Sequence, residues 1–255
     1  MHFGRYFSSL IAIYAFILLE IFLIRPKFIY FAVILIDLLI VYAAKRLAER
    51  SLIDKALWNI AILPVVFCSS LVAYSVLLPK TNLILSQALL LLNAGFLFFY
   101  FRAVYFYLIL PSAEKNIGLE NISLYGNFLS FFFISSTIYG LQSFLNTSIW
   151  LLILIFLLLG GLLIYQVFWS NGIAAGERII YILISCLVLT ELAWSIFYLP
   201  FNFNVSGFIL AIYYYMLVGL VRAYLQNRLN SKTVKLYLGL GFFSIIAILF
   251  TARWL

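Results

Sequence analysis

Apolar residues run along this chain in nine long stretches, separated by short polar connections. Each stretch comes close to the ~20 mostly apolar residues, with a range of about 17–25, that an α-helix needs to cross a bilayer. The apolar residues are consecutive and do not alternate with polar ones, which excludes the strands of a membrane barrel and predicts helices. The predicted spans are approximately residues 7–24, 28–44, 56–78, 83–104, 122–145, 149–169, 178–199, 206–226 and 235–252.

The composition supports the same fold class. Of the 255 residues, 67% are hydrophobic and 9% are charged. A soluble domain carries ~25% charged residues and ~45–50% apolar ones, so this chain has too few charges to cover a soluble globule. Soluble, disordered and disulfide-stapled proteins are therefore excluded. We predict an all-α, polytopic transmembrane bundle that forms one integral membrane domain over residues 1–255.

The positions of Lys and Arg predict the orientation, because cytoplasmic loops carry the excess of basic residues. With the N-terminus in the cytoplasm and the C-terminus outside, only four of the sixteen basic residues lie outside: Arg25, Lys27, Lys80 and Arg253. We expect a multi-pass protein of a prokaryotic plasma membrane, with the lipid bilayer as its main partner. The net charge of +8 comes from basic residues whose distribution fits this membrane orientation, so it does not indicate a nucleic-acid partner and we expect none.

The rarer residue types exclude several chemistries. The chain has a single histidine, His2, and its two cysteines, Cys68 and Cys186, lie far apart in apolar runs. Haem and zinc sites need His or Cys in clusters, so we expect no metal centre and no cofactor. Each cysteine is interpreted as a small buried apolar residue. Glycine-rich phosphate loops and serine-nucleophile elbows are absent, and no catalytic residue can be assigned.

Three acidic residues fall within predicted spans, where a charge costs ~2.5–3.5 kcal/mol at the bilayer centre. Glu20 lies four residues from the outer end of its helix, near Arg25 and Lys27, which favours an interfacial position or a local ion pair. Asp37 and Glu191 lie nine and eight residues from the outer ends of their spans. They are therefore ~12–14 Å deep, near the midplane of a ~30 Å hydrocarbon core. No Lys or Arg lies at that depth.

Other spans place polar side chains at the same depth, and Asn93 is the rarest type among them. We predict that Asp37, Asn93 and Glu191 converge on one midplane site for a proton, an ion or a small ligand. The predicted lining consists of Ser69 or Ser70, Thr137, Ser195, and Tyr214 or Tyr215. Depth gives the height of a residue but not the direction in which it points. The alternative is that each acid is neutral and hydrogen-bonded to a neighbouring helix, a bond that averages ~0.6 kcal/mol.

Three functions fit this pattern. A small proton- or cation-coupled transporter or permeation pathway accounts best for midplane acids, which can take up a proton, bind a cation or share a proton. A non-catalytic membrane subunit or assembly scaffold accounts for the absence of motifs and would bind another membrane protein. A lipid-modifying intramembrane enzyme is third, because carboxylates alone can perform acid–base catalysis. The sequence favours a non-enzymatic role.

Overall fold

The computed structural model describes residues 3–24, 26–49, 56–78, 83–109, 117–173 and 175–251. Within these ranges the secondary structure is nine α-helices and one short 3-10 helix, Pro26–Phe28. The α-helices are α1 (Phe3–Ile24), α2 (Ile29–Ala48), α3 (Ala56–Leu77), α4 (Leu83–Ile109), α5 (Ile117–Leu145), α6 (Ile149–Ser170), α7 (Ala175–Phe197), α8 (Phe203–Leu225) and α9 (Ser231–Thr251).

The all-α prediction is confirmed, and each predicted span corresponds to one helix. The largest differences lie around the connection between the fourth and fifth spans. There α4 continues to Ile109 and α5 begins at Ile117, beyond the predicted bounds of 104 and 122. Residues 105–109 are aromatic or aliphatic and let α4 continue, whereas α5 begins with a turn that contains Glu120 and Asn121, ahead of the apolar run from which the span was predicted.

Among the described residues, seven helices, α3 to α9, are long and apolar enough to cross a membrane. The apolar part of α1, Ser8–Ile21, is shorter. α2 combines an apolar sequence with Asp37 and, in its last turn, Lys45 and Arg46. The chain is therefore a multi-pass helical membrane protein. The count of nine spans and the orientation of the termini stay predictions.

The chain divides into two compact units, residues 1–127 and 128–255, with the division inside α5. In unit 1, α1 packs against α2 and α4, and α3 packs against the same two helices. Phe67 of α3 lies at the centre of this bundle, fully buried, with its ring stacked on that of Phe96 at 3.9 Å between centroids. One domain over residues 1–255 stays a prediction.

Pro64 lies inside α3 without ending the helix. A proline has no backbone N–H, so the carbonyl one turn earlier, that of Ile60, loses its helical partner. The hydroxyl of Tyr100, a fully buried residue of α4, donates to this carbonyl at 2.9 Å. A neighbouring helix therefore supplies the hydrogen bond that proline removes.

In unit 2, α7 packs against α6 and α8, and α9 packs against α8. α8 also approaches the second half of α5 closely at Gly207. A Cβ atom on Gly207 would lie 2.7 Å from the backbone nitrogen of Ser136 and 2.8 Å from its Cα. About two turns further along α8, the ring of Tyr214 stacks on that of Phe131 of α5 at 4.1 Å between centroids. Glycine is needed at position 207 because the backbones themselves meet there.

Candidate functional site

Asp37 of α2 is held by one hydrogen bond from α3. The hydroxyl of Ser69 donates to the carboxylate oxygen Oδ2 of Asp37 at 3.1 Å. The other oxygen, Oδ1, is buried and has no hydrogen-bond partner among the described residues. The ion pair found in the described part of the chain joins Lys45 to Glu49 at 4.0 Å and does not involve Asp37. The carboxylate thus has half of its acceptor capacity unused and no basic neighbour bonded to it.

Asn93 of α4 is also held by a hydrogen bond from α3, donated by Cys68, the residue before Ser69. The Cys68 thiol donates to the amide oxygen Oδ1 of Asn93 at 2.9 Å. Asn93 is fully buried. Its amide nitrogen, Nδ2, which carries two donor hydrogens, has no partner within the described ranges. A buried donor without a partner costs about 1–3 kcal/mol, so this nitrogen calls for an acceptor.

Two consecutive residues of α3 therefore bind two different helices. Side chains of consecutive helical residues point ~100° apart, which lets Ser69 reach α2 while Cys68 reaches α4. Three residues predicted to share a site, Asp37, Ser69 and Asn93, are brought to one level of α3 in this way. We call Asp37, Cys68, Ser69 and Asn93 the α3 polar cluster.

Ser70 was the alternative to Ser69 in the predicted lining. Its hydroxyl donates to the carbonyl of Phe67 in its own helix at 3.1 Å. Because its hydroxyl hydrogen is used within α3, Ser70 donates no hydrogen bond to a neighbouring helix. Ser69 is the member of this pair that contacts the candidate site.

Cys68 was not predicted as a site residue, because a lone cysteine in an apolar run is most often a small core residue. The signal that could have identified it is its position beside Ser69 at the depth of Asn93. A thiol is a weak donor, but it is matched here with an amide oxygen that would otherwise be unpaired.

A second carboxylate of unit 1 is also bonded between helices. The amide nitrogen of Gln87 on α4 donates to oxygen Oε1 of Glu20 on α1 at 2.9 Å. Oxygen Oε2 of Glu20 is buried without a partner in the described residues. The predicted neighbour Arg25 lies outside the described residues, and no ion pair joins Glu20 to the described Lys27.

The remaining predicted site residues belong to unit 2, where two are buried, Tyr215 is half-buried and two are exposed. Thr137 and Tyr214 are buried, and neither hydroxyl has a partner within the described part of this unit. Tyr215 packs its ring on those of Phe128 and Tyr237, at 6.1 and 5.6 Å between centroids. These contacts are typical of a helix core.

Glu191 and Ser195 of α7 are exposed. The Ser195 hydroxyl donates to the backbone carbonyl of Glu191 at 2.9 Å, and the Glu191 carboxylate has no bond to a described residue. The convergence of Glu191 with Asp37 and Asn93 stays a prediction, since the two groups lie in different units.

A narrow cavity of about 20 Å³, enough for about one water-sized molecule, lies within unit 2, among α5, α6, α7 and α8. Its lining is apolar and includes Tyr139, Phe156, Trp194 and Phe197. The Tyr139 hydroxyl is already bonded to the carbonyl of Ala193, at 3.0 Å. No carboxylate lines this cavity. It is too small for a ligand of several atoms and offers no acid–base chemistry.

Comparison with curated proteins and with solved structures finds no match to this chain. A family model does match, over residues 29–251. The match spans α2 to α9 and contains the whole α3 polar cluster and Glu191, whereas α1 and Glu20 precede it. The chain belongs to the DUF5656 family, proteins of unknown function.

Proposed function

We propose that this protein is a small proton- or cation-coupled transporter or a permeation pathway, with Asp37 as its central carboxylate. The observation that carries this proposal is the unpartnered oxygen Oδ1 of Asp37, buried and without a bonded basic residue. A carboxylate in apolar surroundings is stabilised by taking up a proton or by binding a cation. Intramembrane acids of this kind mark ion and proton pathways.

The α3 polar cluster supports a binding role over simple helix packing. In a packing role, the polar groups of neighbouring helices would satisfy one another. Here each hydrogen-bonded pair instead leaves one buried polar atom without a partner among the described residues. This atom is Oδ1 of Asp37 in one pair and Nδ2 of Asn93 in the other. We propose that Glu191 of unit 2 contributes a second carboxylate to the same pathway.

A definite topology accompanies this function. The nine helices all span the membrane, with the N-terminus in the cytoplasm and the C-terminus outside. The membrane is a prokaryotic plasma membrane. In this arrangement the α3 polar cluster lies near the bilayer midplane, at the level where a transport site is reached from both sides.

The test is ion flux in reconstituted vesicles. Purified protein is placed in liposomes that contain a pH-sensitive dye, and internal pH is followed after a pH step or a cation gradient is imposed. We expect flux above that of empty liposomes, and its loss in Asp37→Asn. Glu49→Gln is the matched control, because Glu49 is an exposed carboxylate at the end of the same helix. Equal flux in wild type and Asp37→Asn would contradict the proposal.

A membrane-subunit role is the second candidate, and the outer face of α7 favours it. Glu191 lies on this face among exposed aliphatic residues such as Leu183, Ile184 and Leu187. A carboxylate turned to lipid is costly, whereas a partner helix with a hydrogen-bond donor would satisfy it. Light scattering of the protein, extracted from its native membrane in mild detergent, tests this role. A mass equal to one chain plus detergent speaks against it.

A further inference from the structure

We infer that the α3 polar cluster handles a proton together with a hydrogen-bonded water molecule, and not a dehydrated metal cation. This inference rests on the proposed function and specifies its ion. It follows from the chemical kind of the two buried groups that lack partners. One is a carboxylate oxygen, which accepts hydrogen bonds, and the other is an amide nitrogen, which donates them.

A ligand that satisfies both groups must both donate and accept. It donates to Oδ1 of Asp37 and accepts from Nδ2 of Asn93, and water does both. Buried waters in proteins occupy this kind of position, typically with about 3 hydrogen bonds to polar groups that lack other partners. Asp37 and Asn93 are bonded to adjacent residues of α3, which places both side chains at the same level of that helix.

A metal cation fits the same groups poorly. Hard cations are held by several oxygen atoms, roughly 6–8 for calcium. The amide oxygen of Asn93 already accepts from Cys68, and the hydroxyl of Ser69 directs its hydrogen towards Asp37. The free group of Asn93 carries hydrogens with partial positive charge, which repel a cation. Among the described residues, no three His, Cys, Asp or Glu side chains are grouped as a metal site requires.

The other ionisable groups around Asp37 are consistent with a proton. On the elements that pack against α2, the described residues Tyr14, Lys27 and Arg102 are exposed. The buried or half-buried ionisable groups are Glu20 on α1, Cys68 and Tyr74 on α3, and Tyr100, Tyr105 and Tyr107 on α4. None of them is basic, so none provides a fixed positive charge that would hold Asp37 ionised. A proton is therefore the species that neutralises the carboxylate most simply.

A hydronium ion approaches along water and gives a proton to Oδ1 of Asp37. One O–H bond forms at Oδ1, one O–H bond of hydronium breaks, and the electron pair of the broken bond stays on the water. The new carboxylic O–H donates to that water, which accepts from Nδ2 of Asn93. Release is the reverse reaction. Asn93 is thus a positioning residue, since it holds the water and not the proton.

The experiment uses the full chain in liposomes with an internal pH dye, driven by a membrane potential. The external salt is choline, sodium or lithium chloride. We expect proton uptake at the same rate in all three salts, its loss in Asp37→Asn, and a reduced rate in Asn93→Leu and Ser69→Ala. Ser70→Ala is the matched control, because that serine bonds only to its own helix. Uptake that requires sodium or lithium would overturn the inference and leave the proposed function standing.

A second measurement does not depend on transport. Infrared difference spectroscopy on acidification should show the carbonyl band of a protonated carboxylic acid. We expect this band to be absent in Asp37→Asn, retained in Glu20→Gln, and shifted in frequency in Asn93→Leu. Displacement of the band by sodium at constant pH would overturn the inference. If no proton or cation moves in any salt, the proposed function itself fails, and the infrared result then decides whether the site still binds a proton.

Discussion

Tyr100 donates its hydroxyl to the carbonyl oxygen of Ile60 at 2.9 Å, and this is the carbonyl that Pro64 leaves without a helical partner. The bond joins α4 to α3 about two turns before Cys68, the first α3 residue of the α3 polar cluster. It also explains how α3 continues through a proline from Ala56 to Leu77 without an unsatisfied group at that carbonyl. The contribution of this hydrogen bond to stability should therefore depend on Pro64.

Tyr100→Phe should lower the free energy of unfolding by about 1–3 kcal/mol, because it leaves the buried Ile60 carbonyl without a donor. In a Pro64→Ala background the helix N–H is restored, so the same Tyr100→Phe change should cost less. Reversible unfolding in mixed detergent micelles measures the four free energies of this cycle. Tyr125→Phe, at an exposed position, is the control. Equal costs in both backgrounds would show that the hydroxyl does not replace the missing N–H.

Gly207→Ala should destabilise unit 2, since the added methyl group would meet the backbone of Ser136 and not a side chain that can move. Overpacking of this kind costs typically about 1–3 kcal/mol. Gly239→Ala is the matched control, because a Cβ there would have no neighbour within 4 Å. The midpoint of thermal unfolding should fall for the first variant and stay level or rise for the second. A rise for both would mean that α8 can shift away from α5 at no cost.

Reporter fusions test the topology. Fusions after residues 50, 115, 175 and 230 should report the cytoplasm, whereas fusions at 203 and after Leu255 should report the outside. The physical reason is the excess of Lys and Arg in the loops that stay in the cytoplasm. A paired alkaline phosphatase and fluorescent protein reporter gives opposite signals on the two sides. A cytoplasmic signal at 203 or after Leu255 would reject the count of nine spans.

Glu191→Gln separates a role in transport from a role in folding. Glutamine is nearly isosteric, and the Glu191 carboxylate bonds to no described residue, so the free energy of unfolding should change by less than about 0.5 kcal/mol. Proton uptake in liposomes should nevertheless fall, because glutamine cannot exchange a proton. Glu120→Gln, a change at the start of α5, serves as a control carboxylate. Unchanged uptake would remove Glu191 from the pathway.

The sequence predicts the helices well because hydrophobic length alone determines where they lie. It also predicts the common depth of Asp37, Ser69 and Asn93, since the rise per residue converts position into height. It does not predict which helices are neighbours, because azimuth depends on packing among all helices of a unit. For that reason depth alone could not separate Ser69 from Ser70, or identify Cys68 as the donor to Asn93.

Pro64 precedes Cys68 and Ser69 by about one helical turn, and a missing backbone bond makes a helix easier to twist at that point. Since the two side chains reach α4 and α2 respectively, a small rotation of this segment about its axis changes both contacts at once. In the proposed site, the water bonded to Asp37 and Asn93 would therefore be sensitive to rotation of α3, and by thermodynamic reciprocity its binding would favour one rotation. Occupancy of the proposed site and the rotation of α3 would thus be two readouts of the same equilibrium.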